Sequence, residues 1–266
     1  MLSYDFMRRA LLAGVMISLI IPMIGMVMIN RKTSMIGDAL SHSSLSGIAL
    51  GLIMGINPLL VSLIICILSA FAIETIRKKF DQYGDMATAI VMSTGIGLAA
   101  VLSDFTPGGA SFESFLFGSI TTVSKEELLI IGAMFILVSF VSIYYYHGLL
   151  YNSINPLMAR LSGVKIHVVD GLFTLITAIT VAISVKTVGA LMITSLMVIP
   201  VASALMVARS YRSTYIISLV LSLIFMLVGI SLSFHKGLKP GGTIVLIGIT
   251  FLIIFSIIGL IRRKLK

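Results

Sequence analysis

Residues 35–51 read MIGDALSHSSLSGIALG, and this stretch decides the fold. Its length and apolar content suit a membrane-spanning helix, yet Asp38 and His42 stand one helical turn apart inside it. A charged side chain near the bilayer centre costs at least about 2.5–3.5 kcal/mol on insertion scales, so ionisable groups kept within a span point to function. On a helical wheel Ser34, Asp38, His42 and Ser46 recur every four residues as a polar stripe. Ala39, Ser43, Gly47, Gly51 and Gly55 form a neighbouring stripe of small residues. The polar stripe can face a pathway, and the small one lets another helix approach closely, since helix association in lipid depends on packing. A carboxylate at i and an imidazole at i+4 can jointly hold a divalent transition ion. The alternative, weaker reading is a pair that merely satisfies itself between helices.

The rest of the chain supplies the membrane that this reading requires. Hydrophobic residues make up 58% of the sequence and charged residues 11%. Mean hydropathy is +1.14, whereas a soluble domain carries roughly 25% charged residues. Runs of spanning length lie at 10–29, 35–55, 58–76, 86–102, 128–146, 168–185, 188–208, 215–234 and 243–260. The expected fold is therefore an all-α integral membrane protein, a polytopic bundle of about nine transmembrane or partly spanning helices. The first run contains Pro22 and lacks a small-residue cleavage site, so it reads as a span and not a signal peptide. Cys66 is the single cysteine and has no internal partner; it reads as packing.

The net charge of +9 sits in the short breaks between runs, which speaks for topology and against nucleic acid. Of the nineteen Lys and Arg, thirteen fall on one side of nine alternating spans and six on the other. The richer side is expected to be cytoplasmic, which puts the N-terminus outside and the C-terminus inside. Two longer breaks stand out. Residues 103–127, on the outer side, hold a short apolar segment at 112–117 that reads as re-entrant or interfacial. Residues 148–167, on the inner side, hold Pro156 and Gly163 at the two ends of a short amphipathic helix.

Four stretches resemble the permeases of ABC-type zinc, manganese and iron importers: RKTSMIGDALSHSSLSGIALG from Arg31, LFGSITTVSKEEL from Leu116, residues 155–163, and VGALMITSLMVIPVASALMVARSYR from Val188. With length and span placement, the likeness covers nearly the whole chain as a single transmembrane permease domain over 1–266. The resemblance implies a prokaryotic cell-membrane permease that pairs with a second copy of itself. It also implies an ABC ATPase subunit that binds the ATP, and an extracytoplasmic metal-binding protein that delivers the ion. Asp38 and His42 fall on the family's metal-pathway positions. Residues 159–163 fall on its coupling helix, so Pro156, Ala159 and Gly163 become ATPase-coupling candidates. Beyond the transported ion, the resemblance implies no cofactor on this chain. Many relatives have an acidic or amide residue in the outer loop before the last span; Gly237 stands there here, and nearby His235 is a further possible ligand.

Other polar groups have simpler readings. Glu74 precedes Lys78 by four residues, a local pair, and Asp170 opens the sixth span as a helix N-terminal carboxylate. Lys186 is expected to snorkel to the outer interface, His147 and His167 to be solvated, and the 16 Met residues to fill core gaps. Pro22 and Pro200 predict kinks or local unwinding. No G-x-x-x-x-G-K-S/T loop is present, so ATP hydrolysis belongs elsewhere, and H-E-x-x-H is also lacking, so the chain does not read as an enzyme. The competing function is a stand-alone secondary carrier or channel for divalent cations, whose pathway carboxylate would also look like Asp38.

Overall fold

The computed structural model describes residues 4–80, 83–106, 114–119 and 123–264. The helices in chain order are α1 (Asp5–Asn30), α2 (Met35–Met54), α3 (Pro58–Lys79), α4 (Gly84–Ser103), α5 (Lys125–Tyr144), α6 (Tyr146–Ile154) and α7 (Pro156–Leu161). They continue with α8 (Ile166–Val188), a 3-10 turn at Ala190–Met192, α9 (Ile193–Val207), α10 (Tyr211–Lys236) and α11 (Pro240–Lys264). Among the described residues, eight helices are long and apolar enough to cross a membrane, counting Ala190–Val207 as one. The ninth long helix, α2, is not among them. Its carboxylate, imidazole and four serines offset its apolar residues.

Local chemistry explains the helix ends. Asn57 caps α3 by accepting from the Leu59 amide, with Pro58 at the first helical position. Ser124 and Glu127 form a capping box at the start of α5. Gly55 and Gly237 close α2 and α10 in the left-handed conformation. The turn expected between the runs 168–185 and 188–208 comes later, at Gly189, whose φ of 94° disfavours a side chain. A Cβ there would also overlap the backbone of Phe117 and Gly118. The helical turn at 114–117 thus packs on the α8–α9 junction, where the Ser119 amide donates to the Lys186 carbonyl. Of the expected 112–117 segment, 112 and 113 lie outside the described residues.

Helices α1 and α8 are the most enclosed spans and form the centre. One group, α2, α3 and α4, packs together on one side, and α9, α10 and α11 pack together on the other. The small stripe of α2 does what its spacing suggests. A Cβ on Gly47 would stand 2.6 Å from Ser62 Cα, so α2 and α3 meet nearly backbone to backbone. Outward faces are apolar, with Leu68, Leu129, Phe140 and Leu246 all exposed, as lipid-facing surface requires. Helices α1 and α9 run unbroken through Pro22 and Pro200, so neither proline unwinds its helix.

Three expectations are corrected, two of them by long-range pairing. Lys186 does not snorkel: it forms an ion pair with Glu127 of α5, 2.6 Å from Oε2, and both side chains are nearly enclosed. Asp170 lies one turn inside α8 and does not act as an N-terminal carboxylate. It holds Arg31 at 2.8 Å and accepts from Asn152 Nδ2 at 2.8 Å, tying α8 to the α1–α2 loop and to α6. The 148–167 break is more helical than expected, because Tyr146–Ile154 forms α6. The local pair Glu74–Lys78 is present at 3.0 Å. Cys66 is buried, its thiol donating to the Leu40 carbonyl. His147 and His167 are exposed.

Candidate metal pathway

The serines of α2 turn their hydroxyls onto the backbone or onto α3. Ser41 donates to the Asp38 carbonyl at 2.8 Å, Ser43 to Ala39 at 2.9 Å and Ser46 to Ser43 at 2.7 Å. Ser44 and Ser62 share a hydrogen bond at 2.6 Å. Such internal satisfaction lets them sit buried at little cost. Ser46 is among the buried ones, so the polar stripe closes at that end.

Packing by α3, α4, α8 and α9 encloses the middle of α2. From Gly37 to Ala49 every residue is buried except Asp38 and His42. The two groups that chemistry singles out are also the two that geometry leaves open. Asp38 lies in the first turn of α2, where the helix dipole favours a negative charge. Its Oδ1 accepts from Thr194 Oγ1 of α9 at 2.5 Å. Gly37 makes room for this contact, since a Cβ there would crowd Thr194 Oγ1 at 3.2 Å and Met197 Sδ at 3.3 Å. Among the described residues the His42 ring makes no hydrogen bond, leaving its nitrogens available. Thr194, Ser195 and Val198 are half-buried and Leu191 and Leu205 exposed, so α9 presents an open strip of its own beside the pair.

Thr194 is the site residue that sequence reasoning missed. It lies in a stretch quoted for the family resemblance, but a lone threonine in an apolar run carries no signal, and its partner is 156 positions away.

The described residues contain no group of three or more His, Cys, Asp and Glu side chains able to hold a metal. One chain therefore offers the pair, one anionic oxygen donor and one imidazole donor, and other groups must complete a shell. His235 is not brought to it. The residue sits in the last turn of α10, exposed, where Nδ1 donates to the Ser231 carbonyl at 2.7 Å, and α10 is not among the helices packed on α2.

The coupling candidates form one compact element. Asn155 Oδ1 accepts from the amides of Leu157 and Met158, Pro156 takes the first helical position, and Gly163 follows at φ 81°. Ala159 is fully buried by this chain itself, with α7 packed on α6 and α8. The outward surface of α7 is formed instead by Leu157, Met158 and Leu161, the last 76% exposed.

Comparison with known proteins identifies the family and the fold. Residues 3–259 match the model of the ABC 3 transport family. A protein of Treponema pallidum described as a probable metal transport system membrane protein is 32% identical over 254 residues, covering 96% of each chain. The high-affinity zinc uptake system membrane protein ZnuB of Haemophilus influenzae is 29% identical over 255 residues, 96% of this chain and 97% of that one. Among solved structures, PsaBC from Streptococcus pneumoniae in complex with Fab superposes with a TM-score of 0.85 at 23% identity, covering 95% of this chain and 91% of that one.

Proposed function

Because the chain belongs to the ABC 3 transport family, we propose that it is the membrane permease of an importer for divalent transition-metal ions, driven by a separate ATP-hydrolysing subunit. The observation that carries this reading is that Asp38 and His42 alone remain open along the enclosed middle of α2. A second copy related by a two-fold axis would set its own pair against this one. Four donors, two carboxylates and two imidazoles, then suit a tetrahedral or expanded shell. Asp38 supplies the charge that draws the ion out of water. His42, neutral when bound, favours zinc, manganese or ferrous iron over magnesium and calcium, which prefer all-oxygen shells.

The ion would arrive from an extracytoplasmic binding protein and leave at the base-rich end. Motion of the ATPase would reach α8 through α7, whose exposed Leu157, Met158 and Leu161 offer an apolar docking surface. A stand-alone carrier would have no use for such a surface at its cytoplasmic end.

Asp38→Ala and His42→Ala test the pathway. Each is expected to cut metal accumulation by about tenfold or more at equal membrane abundance, since losing a ligand should cost at least as much as losing an outer-shell partner, about 10–100-fold. Near-normal uptake by both variants would overturn the assignment. The orientation is tested separately, in a Cys66→Ala background: a cysteine at exposed Lys236 should react with an impermeant thiol reagent on intact cells, and one at exposed Ser162 should not. The opposite pattern would reverse the topology.

A further inference from the structure

At the base-rich end of the bundle, remote from the outward-facing Lys236 turn, a cavity of about 430 Å³ opens between the α1–α2 loop, the end of α3, α6 and the start of α8. That volume falls within the ~300–1,000 Å³ range of small-molecule sites. Its wall is strongly basic: Arg31, Lys32, Arg77 and Lys78 line it, against the carboxylates Glu74 and Asp170. Both carboxylates are already engaged, Glu74 with Lys78 at 3.0 Å and Asp170 with Arg31 at 2.8 Å. Among the described residues Lys32 and Arg77 form no ion pair, although Asp85 lines an adjoining recess with both, so basic groups outnumber carboxylates in the cavity wall.

The same wall holds unused donor capacity. Asn30 Nδ2 and Arg31 Nε are buried without a hydrogen-bond partner. The short contact of Arg31 Nη2 with Asp170 is an ion pair whose angle does not make an aligned hydrogen bond. Phe173 stacks under the guanidinium 4.8 Å from its centre and fixes its position without satisfying its donors. Buried donors left unmade are costly, so such a wall favours an acceptor-rich guest. The sign of the wall disfavours a cation, and among the described lining residues both carboxylates are already engaged. Arginine and lysine around one space match the several oxygens of a phosphate.

We propose that this cavity is a binding site for a phosphate-bearing anion, supplied either by the headgroup of an anionic lipid in the cytoplasmic leaflet or by free phosphate. Two features favour the lipid as source. Basic pockets between membrane helices on the cytoplasmic side are suited to anionic headgroups. Ile154, 68% exposed and adjacent to the lining residue Ser153, provides apolar surface for an acyl chain at the rim. The site is independent of the metal pathway, since neither Asp38 nor His42 lines it.

The test is native mass spectrometry of the full-length chain in detergent with short-chain phosphatidylglycerol, phosphatidylcholine of equal chain length, and inorganic phosphate. Wild type is expected to retain phosphatidylglycerol and not phosphatidylcholine. Lys32→Gln with Arg77→Gln should weaken phosphatidylglycerol binding by about tenfold or more, given the contribution of each basic group near an anionic surface. Lys236→Gln, which removes an exposed charge at the other end, should leave it unchanged. Competition by millimolar inorganic phosphate assigns the site to free phosphate as well; no competition assigns it to the lipid. Circular dichroism confirms that the double variant is folded.

Equal retention of the two lipids, or equal phosphatidylglycerol affinity of the double variant and wild type, overturns the proposal. So does loss of ATPase co-purification in the double variant when neither phosphate nor phosphatidylglycerol binds the wild type, because the cavity then belongs to the protein partner.

Discussion

Replacing Thr194 by valine removes one hydroxyl and keeps the branched shape that packs α9 against Gly37. The lost interaction is the 2.5 Å hydrogen bond from Thr194 Oγ1 to Asp38 Oδ1. Hydrogen bonds to charged groups contribute about 1.5–3 kcal/mol. Asp38 is only half-buried, so water can reach the freed oxygen and recover part of that. A net effect of about 1–2 kcal/mol follows, or roughly 5- to 30-fold. It should appear in metal recognition, because the threonine occupies one carboxylate oxygen and so turns the other toward an incoming ion. Outer-shell partners of metal ligands commonly matter by about 10–100-fold, which brackets the same range. Thr194 is thus a positioning residue acting through Asp38.

The assay is initial-rate uptake over a range of metal concentrations in proteoliposomes holding the complete complex. Thr194→Val should raise KM by about tenfold with a smaller change in kcat, and Thr194→Ser should restore most of the loss. A general packing defect would instead lower the amount of folded protein and leave KM alone. Unchanged KM in the valine variant, or a serine variant as impaired as valine, would refute the positioning role.

Lys186→Met should destabilise the chain by about 3 kcal/mol, because Glu127 would then hold an unpaired, nearly enclosed charge; pairing it with Glu127→Gln should recover most of the thermal-unfolding loss, and no recovery would show that the ion pair is not the cause. Leu161→Asp places a charge on the outward face of α7, where it should abolish ATPase co-purification and metal-stimulated ATP turnover without lowering the chain's own melting temperature. Retention of both at wild-type level would exclude α7 as the coupling surface.

What the sequence made legible follows the reach of its signals. Hydrophobic runs and four-residue spacing are local, and they placed the nine long helices, the polar and small stripes of α2 and the proline-to-glycine bounds of α7. Residue types in a hydrocarbon setting singled out Asp38 and His42, because their cost there is large compared with ordinary packing. Contacts between distant helices left no local trace. Lys186 looked free because Glu127 is 59 positions away, and Asp170 looked like a helix-start carboxylate because Arg31 and Asn152 belong to other elements. Ala159 shows the same limit in reverse. A small residue in a candidate docking helix reads as room for a partner, yet its side chain is used up by α6 and α8, so the exposed apolar surface of α7 is made by its larger neighbours.

Hydropathy puts the turn at the polar Lys186 and Thr187, between the two apolar runs, whereas α8 carries on through both to Val188; the left-handed φ of Gly189, a property of backbone and not of hydropathy, separates α8 from α9. That break matters for the site. It ends α8 beside the 114–119 segment and starts α9 at the depth where Thr194 meets Asp38, so the α8–α9 junction sets the register of this side-chain donor to the carboxylate. A side chain at position 189 would strain the turn and overlap Phe117 at once. The geometry of the candidate pathway therefore depends on a glycine that is not itself one of the candidate ligands.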